Sequence, residues 1–487
     1  INTPEPSEIN SHIQNMAWGN RGLKWFDYTF YTMDMHNKWA KDLTAAIKHF
    51  TPDQLVTVGQ DEALTSQRPS PMFYEEAVDY TTNHSWWFMD QLLWDSIFTK
   101  APNKPNLIQE TGIMYVERPD NIAKRTEEEL RNILERKYAY SFAGAGAGAV
   151  QWIWNTNYFM NNINESNIGA LRADGTEKPE ADVSYDFGAF MKGISHIFEG
   201  RKIEEVAVIF PFSNDFSNRR LAFDSTARLT RVMACELNVA FRAISEYHLD
   251  DLRVNPSKLI IVPSAHTFNT NAFEKLLEIV EATGATLLYT GPISLDEYWN
   301  KTERAKQIVG KTSVGNIRRE EFMFINNTRH LASFPDKRIA EVMKEIPLDC
   351  LQPTGIQQYK IGKGKLLWSP LSIELNERNE PISELYKYAL NIAGVAEDLR
   401  WIKGNYPGIY GRKLSFHSED LFIFVSECGE DVAMEIQNTQ NGTTYEFLLE
   451  AERSVLFAAG KDGKLIGVYR DHEVSAAVIQ SGFSHIK

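Results

Sequence analysis

Leu107-Ile108-Gln109-Glu110-Thr111-Gly112 is the stretch on which the fold turns. An apolar run passes directly into an amide, a carboxylate, a hydroxyl and a glycine. This is the pattern of a strand whose C-terminal end carries polar groups before the chain turns away. Barrels of alternating strands and helices build their sites from such ends, which makes Glu110 the first candidate catalytic residue. A Glu that merely caps the following loop has the same local sequence, and the hexapeptide alone does not choose between the two.

The flanking sequence repeats the pattern. Leu55–Gly59, Val78–Thr82, Asn106–Gln109 and Ala149–Trp154 read as short strands separated by helical stretches. Residues 25–50 precede them as one amphipathic helix, with Phe26, Phe30, Met33, Trp39, Leu43, Ala46 and Phe50 at three- and four-residue intervals. Tyr185 to Phe198 reads as a closing helix. The strand ends are loaded with Gln60, Asp61 and Glu62, then Tyr80, Asn83 and His84 followed by Trp86 and Trp87, and finally Trp152, Trp154 and Asn155. Sugar hydroxyls need convergent polar partners and sugar C–H faces need aromatic platforms, and this rim offers both. Glu110 is therefore read as a nucleophile toward an anomeric carbon. Gln60, Glu62, Tyr80, His84, Trp86, Trp152, Trp154 and Asn155 are read as its substrate-binding surroundings. Four strands make half of an eight-stranded barrel. An open half would expose sheet edges and an apolar interior, so an N-terminal half-barrel segment is expected from elsewhere.

The small-residue run from Phe142 to Val150 lacks the G-x-G-x-x-G spacing of a phosphate loop, and close packing at the entry to the last strand accounts for it. A long polar loop with Asn164-Glu165 and Arg172-Ala173-Asp174-Gly175 follows, equally suited to a lid or a plain surface loop. A new rhythm begins near residue 204. Strands at Val206–Phe210, Leu259–Pro263, Thr286–Thr290 and Gly364–Trp368 alternate with helices at Thr226–Tyr247, Asn271–Thr283 and Ile382–Ala393, a flavodoxin-like, doubly wound α/β pattern. Ser264, His266 and Phe268 follow one of these strands, but no G-x-S-x-G elbow supports a hydrolase site there, and a scaffold or oligomer role fits better. From 398 onward short alternating strands (Leu421–Val425, Val432–Ile436, Tyr445–Leu449, Val455–Ala458) indicate a small all-β sandwich. The expected fold class is thus α/β: the C-terminal half of a (β/α)8 TIM barrel over 1–200, the α/β domain over 201–397 and the sandwich over 398–487.

Composition narrows the function. The 487 residues carry a net charge of −14, with 43% hydrophobic and 24% charged residues, so no nucleic-acid or anionic-membrane partner is expected. No run approaches the roughly 18 consecutive apolar residues of a membrane span. Cys235, Cys350 and Cys428 are far apart and odd in number, and the Asp61-Glu62 and His84 positions fit no H-E-x-x-H or Cys-rich pattern. Neither a metal nor a cofactor is expected. The compartment stays open between cytoplasmic and secreted. Ile1-Asn2-Thr3-Pro4-Glu5-Pro6 is neither a signal peptide nor a tag, and the chain is expected to begin inside a domain.

With these residues in view, segment 1–200 resembles the second half of a clan A retaining glycoside hydrolase barrel. Gln109-Glu110-Thr111-Gly112 matches that clan's strand-seven nucleophile. Trp154 matches the strand-eight aromatic under the −1 sugar, and His84 with Trp86 falls where the clan places a His or Tyr beside the nucleophile. The three-domain order, over the whole chain, is similar to the family 42 β-galactosidases. That resemblance implies double-displacement hydrolysis of terminal β-glycosides, a carbohydrate substrate and a homotrimer built through the α/β domain. One position departs from it. The clan's Asn-Glu-Pro acid/base pattern would fall on Asn2-Thr3-Pro4, so either Thr3 replaces the acid, Glu5 takes the role, or the acid lies upstream. Glu62 has one expected strand between it and Glu110 where the clan has two, and suits binding better. A β-mannosidase and an inactive carbohydrate-binding homologue are the alternatives.

Overall fold

Strands β1 (Thr81–His84), β2 (Asn106–Thr111) and β3 (Ala149–Gln151) form one sheet in that order in the computed structural model of the chain. The structure describes residues 23–59, 70–74, 77–86, 89–101, 103–113, 123–161, 166–215, 220–336, 339 and 342–477. β2 and β3 run parallel. β1 is parallel to β2 as well: Thr81 donates to the Pro105 carbonyl (2.9 Å) and Ser85 to that of Glu110 (3.0 Å), the numbers rising together. The expected first strand, Leu55–Gly59, is not a strand. One backbone bond, from Asp79 to the Val56 carbonyl (2.8 Å), ties it to the neighbouring segment. The other ties run through side chains: Asp79 to the Val56 amide (2.7 Å), Thr57 to the Tyr80 carbonyl (2.7 Å) and Thr82 to the Val58 carbonyl (2.8 Å). Side chains spend the hydrogen-bonding capacity that a ladder would need. The expected Val78–Thr82 strand is displaced toward its C-terminus, so His84 lies within the strand.

The helices follow their local chemistry. α1 (Leu23–Phe50) buries Met33 and Ala40, whereas Trp39, Leu43 and Phe50 from the predicted apolar set are exposed. α2 (Met89–Phe98) buries Leu92, Leu93, Trp94 and Ile97. α3 (Glu127–Ala143) opens with a reciprocal capping box between Thr126 and Glu129 and three Glu in its first turn, both favourable to a helix N-terminus. α4 starts at Pro179, six residues ahead of its expected Tyr185 start, because proline suits the first helical position, and it runs to Gly193. Its Phe187 meets Tyr138 of α3 edge-on at 5.4 Å.

The described residues fall into two compact units. One comprises those up to Asn83 with Ile97–Asn106 and Ile203–Val395; the other lies within His84–Ser96, Leu107–Lys202 and Ala396–Lys487. In the first, β4 (Val206–Phe210), β5 (Arg242–Ser245), β6 (Leu259–Val262), β7 (Thr286–Thr290), β12 (Gln357–Ile361) and β13 (Gly364–Ser369) make a six-stranded sheet of order β12-β13-β7-β6-β4-β5. All pairings are parallel except the β12–β13 edge, and the order reverses at β4, the doubly wound arrangement. The expected Thr226–Tyr247 helix is two elements. α5 (Leu221–Thr230) runs on as a π turn to Glu236, Asn238 adopts a left-handed φ of 51°, and β5 follows. Two hairpins were not foreseen: β8 (Thr312–Asn316) with β11 (Met343–Pro347), and β9 (Glu320–Ile325) with β10 (Thr328–Ser333). α6 (Thr270–Thr283) ends on Gly284 at φ 81°, the C-cap that the sequence indicated, and α7 (Asn379–Ala393) closes this part of the chain.

In the second unit, β14 (Leu399–Lys403), β17 (Val432–Asn438), β18 (Thr444–Leu449) and β21 (Val474–Ala477) form one antiparallel sheet. The strands β15 (Ile409–Ser415), β16 (Glu419–Ser426), β19 (Ser454–Gly460) and β20 (Leu465–Val468) form another. Phe422, Phe424 and Phe457 of one sheet share an apolar cluster with Met434, Ile436, Tyr445 and Phe447 of the other, so the two are stacked as a sandwich.

Candidate active site

Glu110 sits on β2, one residue before its end, in the unit that also holds His84, Trp86 and β3. Strand pairing places its neighbours. Ser85 donates its amide to the Glu110 carbonyl at 3.0 Å, and the Thr111 hydroxyl returns a bond to the Ser85 carbonyl at 2.6 Å. Segment 84–86 is thereby locked alongside Glu110. On this frame the Trp86 indole Nε1 donates to Glu110 Oε1 at 3.0 Å, and His84 Nδ1 stands 3.6 Å from Oε2. Each carboxylate oxygen therefore faces its own nitrogen. The Glu110 side chain keeps 21% of its surface and His84 23%, so the group is held and still reachable.

Gly112 completes the frame. A Cβ there would lie 2.3 Å from the Trp152 carbonyl oxygen and 2.9 Å from two Trp86 ring carbons. Only glycine lets the indole lie flat enough on the strand end to reach Glu110. The Trp152 amide in turn donates to the Thr111 carbonyl at 2.8 Å, and the Trp152–Ile153 peptide is cis.

Of the other candidates, Trp152 and Trp154 stand 44% and 41% exposed beyond β3, the latter edge-on to Tyr185 at 5.6 Å. Asn155 is exposed and makes an isolated bridge with Leu171. Tyr80 is half-buried ahead of β1 in the other unit. Glu5, Gln60 and Glu62 lie outside the described residues, as do Trp87, Asn164 and Glu165. The structure thus brings together Glu110, His84 and Trp86.

Two features were not found by sequence reasoning. Below β1 and β2, the Asn106 amide reaches Thr99 Oγ1 at 2.7 Å, and Thr99 donates to Asn83 Oδ1 at 3.0 Å, a buried polar clasp. The other is on α3. Lys137, 4% exposed, donates from Nζ to the carbonyls of Trp86 and Gly112, both at 2.6 Å. Next to it, Glu135 is fully buried and accepts from Arg453 (3.0 and 2.5 Å), the Ser454 amide (2.8 Å), Tyr469 (3.2 Å) and Arg470 (3.0 Å). Burial alone would push its carboxyl up, but Arg453, Arg470 and the Ser454 amide hold it below the usual carboxylate range. In sequence, Glu135-Arg136-Lys137 looks like a solvated helix face. Among the described residues, no group of three or more His, Cys, Asp or Glu is placed to hold a metal ion, and no helix is long and apolar enough to cross a membrane.

The fold is that of the clan A GH42 β-galactosidases. Among solved structures, the GH42 β-galactosidase Gan42B of G. stearothermophilus matches with a TM-score of 0.71 at 14% identity, over 95% of this chain and 70% of that one. A β-galactosidase from Bacillus circulans sp. alkalophilus matches with a TM-score of 0.68 at 14% identity, over 89% and 67% of the two chains. An exo-β-1,4-mannosidase from an Opitutaceae bacterium matches with a TM-score of 0.50 at 13% identity, over 74% and 68%. No family sequence model and no curated protein sequence matches the chain.

Proposed function

We propose that the chain is a retaining glycoside hydrolase of the β-galactosidase kind, with Glu110 as nucleophile. The observation that carries this reading is the Glu110 carboxylate, held at 3.0 Å by the Trp86 indole and faced at 3.6 Å by His84 at the polar end of a parallel strand. A carboxylate oriented in this way attacks the anomeric carbon as the aglycone oxygen leaves with a proton from an acid. Water, deprotonated by the same group, then releases the sugar. The His84 and Trp86 donors favour the ionised form that attack requires. Glu5 is the acid/base candidate among this chain's own residues. Trp152, Trp154, Asn155, Tyr80, Gln60 and Glu62 are proposed to bind the sugar and its aglycone. In this reading residues 1–200 are barrel strands and helices, 201–397 an oligomerising α/β domain giving a trimer, and 398–487 a sandwich. Light scattering of the purified chain tests the trimer.

The test of the chemistry is turnover of an aryl β-galactoside with a good leaving group, which needs little acid assistance. Intact mass after incubation with a 2-deoxy-2-fluoro-β-galactosyl fluoride complements it. Turnover, one added fluorosugar, and loss of both in Glu110→Ala are expected. A folded protein with neither turnover nor adduct refutes the reading and leaves a carbohydrate-binding protein. A β-mannosidase is the second reading, favoured by the mannosidase among the similar folds. Faster cleavage of the aryl β-mannoside than of the galactoside would select it.

A further inference from the structure

We infer that Lys137 is a positioning residue for the Glu110 nucleophile and acts on it through Trp86; this rests on the glycosidase reading above. The lysine comes from α3, yet its ammonium bonds to neither a solvent-facing nor a helical partner. Its two bonds, both 2.6 Å, go to the carbonyls of Trp86 and Gly112, residues on separate strand-end segments. These are the two segments that frame Glu110: one carries the indole bound to its carboxylate at 3.0 Å, the other follows it directly on β2. The same ammonium stands 5.8 Å from the centroid of the Trp86 ring, on which Gly112 closely packs.

One charged group therefore ties together the backbone under the indole and the backbone beyond the nucleophile. An ion–dipole bond to a carbonyl in a dry site is stronger than a neutral one, and two such bonds from one nitrogen fix a distance between their acceptors. The lysine's own base is fixed too. Glu135, two residues earlier, is held by Arg453, Tyr469, Arg470 and the Ser454 amide, and Arg136 donates to the Glu452 carbonyl at 2.5 Å. α3 thus carries a rigid anchor immediately beside the clamp. Without the ammonium, the Trp86 and Gly112 carbonyls lose their shared donor, and the indole is free to leave Glu110.

The test is a double-mutant cycle on an activated aryl β-galactoside, with Lys137→Met, Trp86→Phe and the double variant, each checked for folding by circular dichroism and thermal melting. Lys137→Met is expected to lower kcat/KM roughly 100-fold, the usual cost of misplacing a reacting group by about 1 Å. The fall should lie in kcat with KM little changed, and be the same for good and poor leaving groups. Because the lysine works through the indole, the double variant should be about as impaired as Trp86→Phe alone. Lys137→Arg, which retains a cation and donors, should recover part of the loss. Two folded single variants whose losses multiply in the double variant would overturn the inference, as would a folded Lys137→Met with wild-type kcat. If Lys137→Met fails to fold, Lys137→Arg alone must still shift kcat and not KM, and a wild-type kcat in it overturns the proposal. Turnover by the wild type separates these outcomes from failure of the glycosidase reading, which would silence every variant and the parent alike.

Discussion

Gly112→Ala isolates the packing that seats the Trp86 indole on the strand end. The added methyl would sit 2.3 Å from the Trp152 carbonyl oxygen and 2.9 Å from Cη2 and Cζ3 of Trp86. Carbon contacts settle at about 3.5–4.0 Å, so roughly 1 Å of movement is needed. The carbonyl side yields least, because the Trp152 amide is tied to the Thr111 carbonyl at 2.8 Å and belongs to the same sheet. The indole is the part that gives. Moving it by about 1 Å stretches its 3.0 Å bond to Glu110 beyond hydrogen-bonding range. The expected result is a loss of about 1–3 kcal/mol in stability from overpacking and a fall of roughly 100-fold in kcat/KM. Urea unfolding and aryl β-galactoside kinetics measure the two. Gly188→Ala is the control: that glycine lies inside α4, and its added methyl meets nothing within 4 Å. It should gain about 0.5–1 kcal/mol and leave kinetics alone. A Gly112→Ala protein as active and as stable as the parent would refute the reasoning.

Three further outcomes follow from named contacts. Glu135→Ala strands the Arg453 guanidinium beside Arg470 without its carboxylate, and is expected to cost about 3–5 kcal/mol in chemical denaturation; a loss no larger than that of an exposed Glu→Ala change would show the network to be idle. Glu246, buried and bonded to the Ser213 amide at 2.9 Å and hydroxyl at 3.1 Å, is pushed up by burial to about 8 from 4.5. It keeps a proton in the folded chain that the unfolded chain releases, so its contribution falls as pH rises from 4.5 toward 8, by up to about 1.4 kcal/mol per pH unit. Glu246→Gln should flatten that part of the stability profile, and an unchanged profile counts against it. Trp154→Ala removes a side chain that is 41% exposed and touches Tyr185 edge-on, so melting should barely move. As a sugar platform, however, its loss should lower kcat/KM about tenfold, and unaltered kinetics would remove it from the binding surface.

Where one residue type and one period dictate the structure, the sequence was readable. Thr286–Thr290 is a strand as expected, because five buried positions in a parallel sheet leave an uninterrupted apolar run. Gly284 marks the end of α6 for the reason glycine usually does. The misreadings have equally definite causes. Thr226–Tyr247 has helical spacing throughout, but Asn238 at φ 51° breaks it, and the remaining apolar residues serve a strand. The β9–β10 hairpin was announced by Asn326-Asn327, whose φ values of 48° and 65° suit a two-residue turn, and that signal was passed over. Leu55–Gly59 looked like a strand because apolar content says nothing about which groups take its backbone bonds.

The site divides along the same line. Glu110 was legible because strand-end chemistry is local: the residue, its strand and its glycine are contiguous. His84 and Trp86 required the further step that adjacent parallel strands end side by side, which is topology, and topology follows from alternating strands and helices. Lys137 could not be reached that way. Its partners are two main-chain carbonyls, and a carbonyl has no letter in the sequence; its neighbours Glu135 and Arg136 are charged, so the run reads as solvent-facing until the fold buries it. The groups that do the proposed chemistry are thus visible from composition and order, whereas the groups that hold them still are visible only from distances. Mutations that spare Glu110 but touch Lys137, Gly112 or Glu135 are accordingly where sequence comparison would forecast least and the structure forecasts most.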